Sequence, residues 1–230
     1  MAVRRTILDC YTDEPAGLGV PPFVGVWPRY VAGLRDGDAI YLTIDDIRLV
    51  RYVESVPRVV IDPPAGRTHI EVLNHTRPYE EIRQVLENTD ELVIIAGVQT
   101  PGKYLSARPG TLREANKLLA PFQLRRVLTG PVLTGGTQFR GGSQAQLPGA
   151  AEFDELRPLT FDSYEDLQPH ALGGARIVGQ MTRLANRIVE LETGRGCPRE
   201  KGCSFCTEPL KHKVEWRRPE LIVEEARRLT

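Results

Sequence analysis

Cys197, Cys203 and Cys206 stand in the pattern C-x5-C-x2-C, so three of the chain's four cysteines fall within ten positions. Thiolates are soft ligands that suit iron–sulfur clusters or zinc. Cysteines gathered this way, in a chain too poor in cysteine for a disulfide scaffold, point to metal before disulfide. Gly194, Gly196 and Gly202 lie among them and supply the backbone freedom to turn all three sulfurs toward one centre. The number of cysteines narrows the choice. A closed structural metal site normally takes four protein ligands, whereas a cubane cluster on three thiolates leaves one iron open to a ligand from outside.

The stretch Ile188–Pro209 resembles the cluster loop of the radical S-adenosylmethionine (radical SAM) superfamily. A β-like run, Ile188 to Glu192, precedes the loop, and Gly194-Arg195-Gly196-Cys197 introduces it. Phe205 stands just before the last cysteine, and Arg217-Arg218-Pro219-Glu220 leads into a helix carrying Leu221, Ile222, Ala226 and Leu229. The family's usual spacing is C-x3-C-x2-C, and this chain has two further residues between Cys197 and Cys203. The resemblance implies that Cys197, Cys203 and Cys206 hold a 4Fe–4S cluster whose open iron is chelated by S-adenosylmethionine. It implies that Phe205 lies against the adenine, and that reductive cleavage of the cofactor gives a 5′-deoxyadenosyl radical that starts chemistry on a substrate. A one-electron reductant such as ferredoxin or flavodoxin would then be a partner.

The resemblance covers residues 186–230 closely and the rest by architecture. The whole chain resembles an archaeal Fe–S oxidoreductase group with a Rossmann-like, cobalamin-binding-like N-terminal domain. Longer members of that group end in a helix-hairpin-helix, which implies nucleic acid as a partner of the full-length protein. The corrinoid motif D-x-H-x-x-G is absent, and none of His69, His75, His170 and His212 fits it. The domain is therefore expected to shape the substrate entrance rather than to bind cobalamin. Methylthiotransferases carry three cysteines in the corresponding domain; here Cys10 stands alone and reads as a small buried residue at a strand end.

The same residues admit a second metal. Cys197, Cys203, Cys206 and His212 give C-x5-C-x2-C-x5-H, a Cys3His set for a closed structural zinc site, with RNA as the natural partner of such a module. Lys201, Lys211, Lys213, Arg217 and Arg218 would supply phosphate contacts. Phe205 and Trp216 are the aromatics at hand, and a zinc finger has no need of a strand leading into its loop. The cluster is preferred on that ground, with His212 as a surface residue. The mixed-sign stretch 211–230 reads as a solvated face.

The elements that must position this loop alternate between strand and helix. Thr6–Cys10 is a β-prone run, and Ala39–Ile44 and Leu92–Gly97 are apolar runs of the kind buried on both faces of a sheet. Asp45-Asp46 opens a helix that ends at Pro57; Thr76 is a candidate N-cap ahead of Pro78 and Glu80-Glu81; Gly110-Thr111 opens a helix stopped by Pro121. Arg126–Gly130 is a further strand. The alternation predicts a parallel α/β sheet, so residues 1–140 are expected to form a Rossmann-like, B12-binding-like domain. A ligand would lie at the carboxyl ends of its strands, near Thr100-Pro101-Gly102 or Thr134-Gly135-Gly136. No G-x-G-x-x-G follows a predicted strand, and Gly130–Gly136 reads as a tight turn rather than a phosphate cradle. Residues 141–185, with acidic residues dominating between Glu152 and Asp166, read as a solvated connector. Residues 186–230 then provide the first strand, the cluster loop and the first helix of a radical SAM (β/α) barrel.

Composition excludes several classes. Thirty Lys and Arg balance thirty Asp and Glu for a net charge of zero, which is not a polycation gripping nucleic acid through bulk charge. No apolar run approaches the roughly 18–20 residues that span a bilayer, and Met1–Arg5 leads into no signal sequence, so a cytoplasmic protein is expected. A barrel needs more strands than follow Cys206 here. The chain is expected to be the N-terminal part of a longer enzyme, inactive by itself.

Overall fold

In a computed structural model the described residues are 4–11, 23–34, 38–55, 75–97, 110–135, 152–181, 188–199 and 214–230. In chain order they form β1 Arg5–Asp9, β2 Phe23–Val24, α1 Val26–Gly33, β3 Ile40–Thr43, α2 Ile44–Ser55, α3 Tyr79–Asn88 and β4 Glu91–Ile95. There follow α4 Leu112–Leu119, β5 Arg125–Thr129, α5 Val132–Gly135, β6 Glu155–Leu156 and α6 Tyr164–Gly174, which a 3-10 turn, Ala175–Gln180, continues. The last elements are β7 Ile188–Val189, β8 Gly194–Arg195, β9 Glu215–Trp216 and α7 Pro219–Leu229.

Five strands make one parallel sheet in the order β3-β1-β4-β5-β6. Ile7 pairs with Tyr41 on one side and Val93 on the other, and Leu128 pairs with Ile94 and Leu156. Every residue of β4 is buried, because helices cover both faces. Leu8, Leu42 and Leu92 point to α2, α3 and α4, where they meet Ile47, Leu86 and Leu119. Ile7, Tyr41 and Val93 point to α1, α6 and the 3-10 turn, where they meet Tyr30, Leu167 and Ile177. Counted along the chain the sheet order is 2-1-3-4-5, a doubly wound arrangement whose switch point lies between β1 and β4.

Local chemistry sets the helix starts. Thr43 and Asp46 cap α2 reciprocally, the Thr43 N–H donating to Asp46 Oδ2 at 2.8 Å and the Asp46 N–H to Thr43 Oγ1 at 3.3 Å. Thr111 Oγ1 accepts from the Glu114 N–H at 2.9 Å at the start of α4. Thr76, expected as an N-cap, instead donates its N–H and hydroxyl to Asp46, at 2.8 and 2.9 Å. The buried carboxylate of Asp46 offers acceptors stronger than a neutral cap site, and α3 begins at Tyr79 behind Pro78. Gly130 has φ +99° and turns the chain directly after β5, but the stretch expected to be a tight turn continues as the short helix α5, Val132–Gly135.

The described part of 141–185 is not a solvated connector. It holds β6, the fifth strand, and α6, whose Tyr164, Leu167 and Ala171 are buried against the sheet. Its acidic residues lie on the outer side of these elements. Asp154 Oδ2 accepts the Arg126 N–H at 2.7 Å, and Glu165 and Asp166 occupy the first turn of α6 behind the Ser163 cap. α1 and α6 meet at glycines: a Cβ on Gly33 would stand 1.8 Å from the His170 carbonyl oxygen, and one on Gly174 1.7 Å from that of Arg29.

Candidate metal centre

Two short strands flank the cysteines in the sequence and pair with each other. β8 and β9 pair antiparallel, Gly194 opposite Trp216 and Arg195 opposite Glu215. A side chain at 194 would meet the Trp216 ring, since a Cβ there would stand 2.6 Å from Cε3. Arg195 Nε donates to Glu215 Oε2 at 2.8 Å, its guanidinium lies 5.0 Å from the centre of the Tyr164 ring, and Glu215 Oε1 accepts the Tyr164 N–H at 3.1 Å. The stem is thereby held on α6. Gly196 follows with φ +82°, a conformation that favours glycine, and turns the chain out of the stem into Cys197. Cys197 is a partly exposed free thiol. Cys203, Phe205, Cys206 and His212 lie outside the described residues.

A strand leads into this stem and a helix leads away from it. β7 pairs in parallel with β2, Phe23 opposite Ile188 and Val24 opposite Val189. After the stem, Pro219 opens α7 with Glu220 in its first turn and Arg227 and Arg228 in its last, the charge placement that suits a helix dipole. The succession strand, cysteine loop, helix is the one expected from the sequence, although the strand is shorter than the run Ile188–Glu192.

Arg217 and Glu225 are not part of a solvated face. Both are buried, as is Arg29 of α1. Arg29 contacts Glu225 Oε1 at 2.9 Å, and Arg217 Nη1 binds Glu225 Oε2. Arg217 also binds Gln168 of α6, which donates to the Leu221 carbonyl at 3.0 Å and to Glu224 at 2.8 Å. Glu225 fell within the mixed-sign stretch read as a solvated face, and it lies between Leu221 and Leu229 at helical spacing. Nothing in the sequence around Arg29 marks it.

At the carboxyl edge of the sheet, Asp9 is enclosed. Its Oδ1 accepts the Tyr11 N–H and its Oδ2 the Tyr41 hydroxyl, each at 2.8 Å. Burial raises its pKa to about 6, the two donors opposing the rise and the Glu190 carboxylate adding to it. Burial also raises Glu190, against the pull of Arg29 and of the Val26 N–H, which it accepts at the start of α1. Tyr11 has φ +57° and donates its hydroxyl to Asp45 at 2.8 Å; Arg48 binds Asp45 and Glu114 at 2.8 and 2.9 Å. Asp45 and Asp46 are thus helix-start residues with separate partners, not an acid/base pair. Cys10 is buried as expected, and its thiol is pushed up chiefly by that burial. Of the loops expected to face a ligand, 100–102 and 136 lie outside the described residues. At the sheet's opposite end a cavity of about 550 Å³ runs over Ile7 and Val93, with Arg4 and Arg157 at its rim, both already engaged by Asp90 and Glu155.

Over 92% of its length the chain is 34% identical to an uncharacterized protein of Methanocaldococcus jannaschii. Over 99% of its length it is 31% identical to an uncharacterized protein of Archaeoglobus fulgidus. It spans 38% of the length of each of these relatives. No family model matches the chain, and no solved structure matches it significantly. Among the described residues no helix is long and apolar enough to cross a membrane.

Proposed function

We propose that the chain is the N-terminal part of a radical SAM iron–sulfur enzyme in which Cys197, Cys203 and Cys206 hold a 4Fe–4S cluster. The observation that carries this reading is the placement of the cysteine loop. C-x5-C-x2-C lies in the sequence between β8 and β9, which pair with each other, with β7 ahead of them and α7 behind. The donor set fits such a group: three thiolates within ten positions of the sequence give soft ligands without a fourth cysteine to close the site, and Cys197 is free and partly exposed at the top of the stem. When bound with S-adenosylmethionine, the cluster supplies the electron for reductive cleavage of that cofactor.

The chain's own residues do the holding. Gly196 turns Cys197 out of the stem and the Arg195–Glu215 pair keeps the stem closed; Phe205 would be the neighbour of the adenine. The remaining barrel units belong, in this reading, to the part of the longer relatives beyond the matched region, together with the substrate pocket. A ferredoxin or flavodoxin is the electron donor, and nucleic acid is the candidate substrate class of the full-length protein. Cobalamin is left out, because no D-x-H-x-x-G occurs in the sequence.

The test is anaerobic reconstitution of the full-length protein with iron and sulfide. About four irons and four sulfides per chain are expected, with an EPR spectrum of the reduced protein that changes when S-adenosylmethionine is added. One tightly held zinc without sulfide would overturn the reading in favour of a Cys3His module that includes His212.

A further inference from the structure

One side chain refers the segment that follows β7 and the helix α7 to the sheet domain. The Arg29 guanidinium has five N–H donors and uses all five. Nη1 donates to the carbonyls of Val24 and Gly25 at 2.8 and 3.2 Å; Nη2 donates to the Glu190 carbonyl and to Glu225 Oε1 at 2.9 Å; Nε donates to Glu225 at 3.2 Å. Glu225 hands the connection on to Arg217, which reaches the Glu192 carbonyl at 3.3 Å and, through its own N–H, the Thr193 carbonyl at 3.0 Å. Two further contacts from α1 land on the same segment between β7 and β8: the Val26 N–H on the Glu190 carboxylate, and the Tyr30 hydroxyl on Glu192 at 3.2 Å.

For stability alone this is a poor use of a core. Well-packed apolar residues of similar volume stabilise as much as a buried ion network or more. Apolar residues, however, cannot hold backbone carbonyls at fixed points, and here the held carbonyls are those of Glu190, Glu192 and Thr193, directly ahead of the stem and Cys197. We infer that Arg29 is a positioning residue for the metal site, through which α1 fixes the segment leading from β7 to β8 and Cys197 relative to the helix behind it. This rests on the cluster reading above and deepens it: the sheet domain is part of the frame of the metal site. Partners that orient metal ligands from behind change metal affinity about 10–100-fold when removed, and Arg29 is expected in that range.

Arg29→Lys in the full-length protein keeps a positive charge opposite Glu225 and removes the fork. Leu119→Ala, in the core on the opposite face of the sheet, is the comparison, because it lowers the stability of the sheet domain without touching the loop. Two quantities are read: hydrogen exchange of peptides covering 188–195 in the metal-free protein, and the rate at which a ferrous chelator strips iron from the reconstituted protein. R29K is expected to speed exchange over 188–195 and to speed iron loss about tenfold or more, while L119A leaves both at the wild-type level. Equal acceleration by the two variants would show a general loss of stability and overturn the inference, as would an R29K protein matching wild type in both. A wild-type protein that takes up no iron would refute the cluster reading instead, and the exchange comparison would then decide the positioning role by itself.

Discussion

Arg29 and Glu225, 196 positions apart, form an ion pair at 2.9 Å with both side chains wholly enclosed. One lies at the start of the sheet domain and the other on the helix behind the cysteine loop. Their pairing makes the loop's surroundings a product of both ends of the chain.

Glu225→Ala leaves Arg29 and Arg217 buried without their shared carboxylate. Loss of one member of such a network costs about 3–5 kcal/mol, so urea unfolding of E225A should show a large drop in midpoint. Arg83→Ala breaks the exposed Arg83–Glu87 pair on α3 and should leave the midpoint where it is. Similar behaviour of the two would mean that the network carries no stability.

Gly174→Ala drives a Cβ to 1.7 Å from the Arg29 carbonyl oxygen, against backbone that has nowhere to go. α1 and α6 must separate, at a cost on the scale of about 1–3 kcal/mol or more for an overpacked contact. Gly179→Ala meets nothing within 4 Å and is expected to stay within about 0.5 kcal/mol of wild type. Thermal unfolding of the pair checks both.

Asp9 gives a pH dependence whose sign is fixed. Its pKa is about 6 in the folded chain against an ordinary 3.8. Between those values the unfolded chain has lost the proton and the folded chain keeps it, so stability from this group falls as pH rises from about 4 to 6 and is level above. Asp46, also raised to about 6 by burial, adds in the same direction. Asp9→Asn keeps the shape, and its amide can donate to the Tyr41 hydroxyl. D9N should match wild type at pH 4 and gain up to about 3 kcal/mol by pH 7.5; equal pH profiles would contradict this.

Thiol labelling separates the cysteines. In the metal-free chain iodoacetamide should modify the partly exposed Cys197 and leave Cys10 untouched until the sheet unfolds, because Cys10 is 1% exposed and its thiol is held protonated by burial. Peptide mapping reads this directly, and early labelling of Cys10 would contradict the packing of β1.

The sheet was legible because its strands are short apolar runs with punctuation. Leu92–Ile95 and Ile40–Ile44 have no polar face, and Thr111 with Glu114 spells a cap. The stretch 152–181 was not, because between Glu152 and Asp166 six acidic residues stand against one basic one, while the apolar ones that matter, Leu159, Tyr164 and Leu167, show no regular period among them. Charge content there reported the outer surface and hid the inner one. The same confusion affected 211–230, where Arg217 and Glu225 counted as solvated charges although each is buried against the other. A buried ion pair between distant segments leaves no local spacing to read. The proposed cysteine ligands are the opposite case, since they fall within ten positions of the sequence and glycines stand beside them.

The most direct test of the central claim is the product of S-adenosylmethionine in the reduced, reconstituted full-length protein under anaerobic conditions. 5′-Deoxyadenosine and methionine should form, and Cys203→Ala should abolish both while the sheet domain keeps its circular dichroism. Absence of 5′-deoxyadenosine from a wild-type protein that holds one zinc and no sulfide would contradict the account.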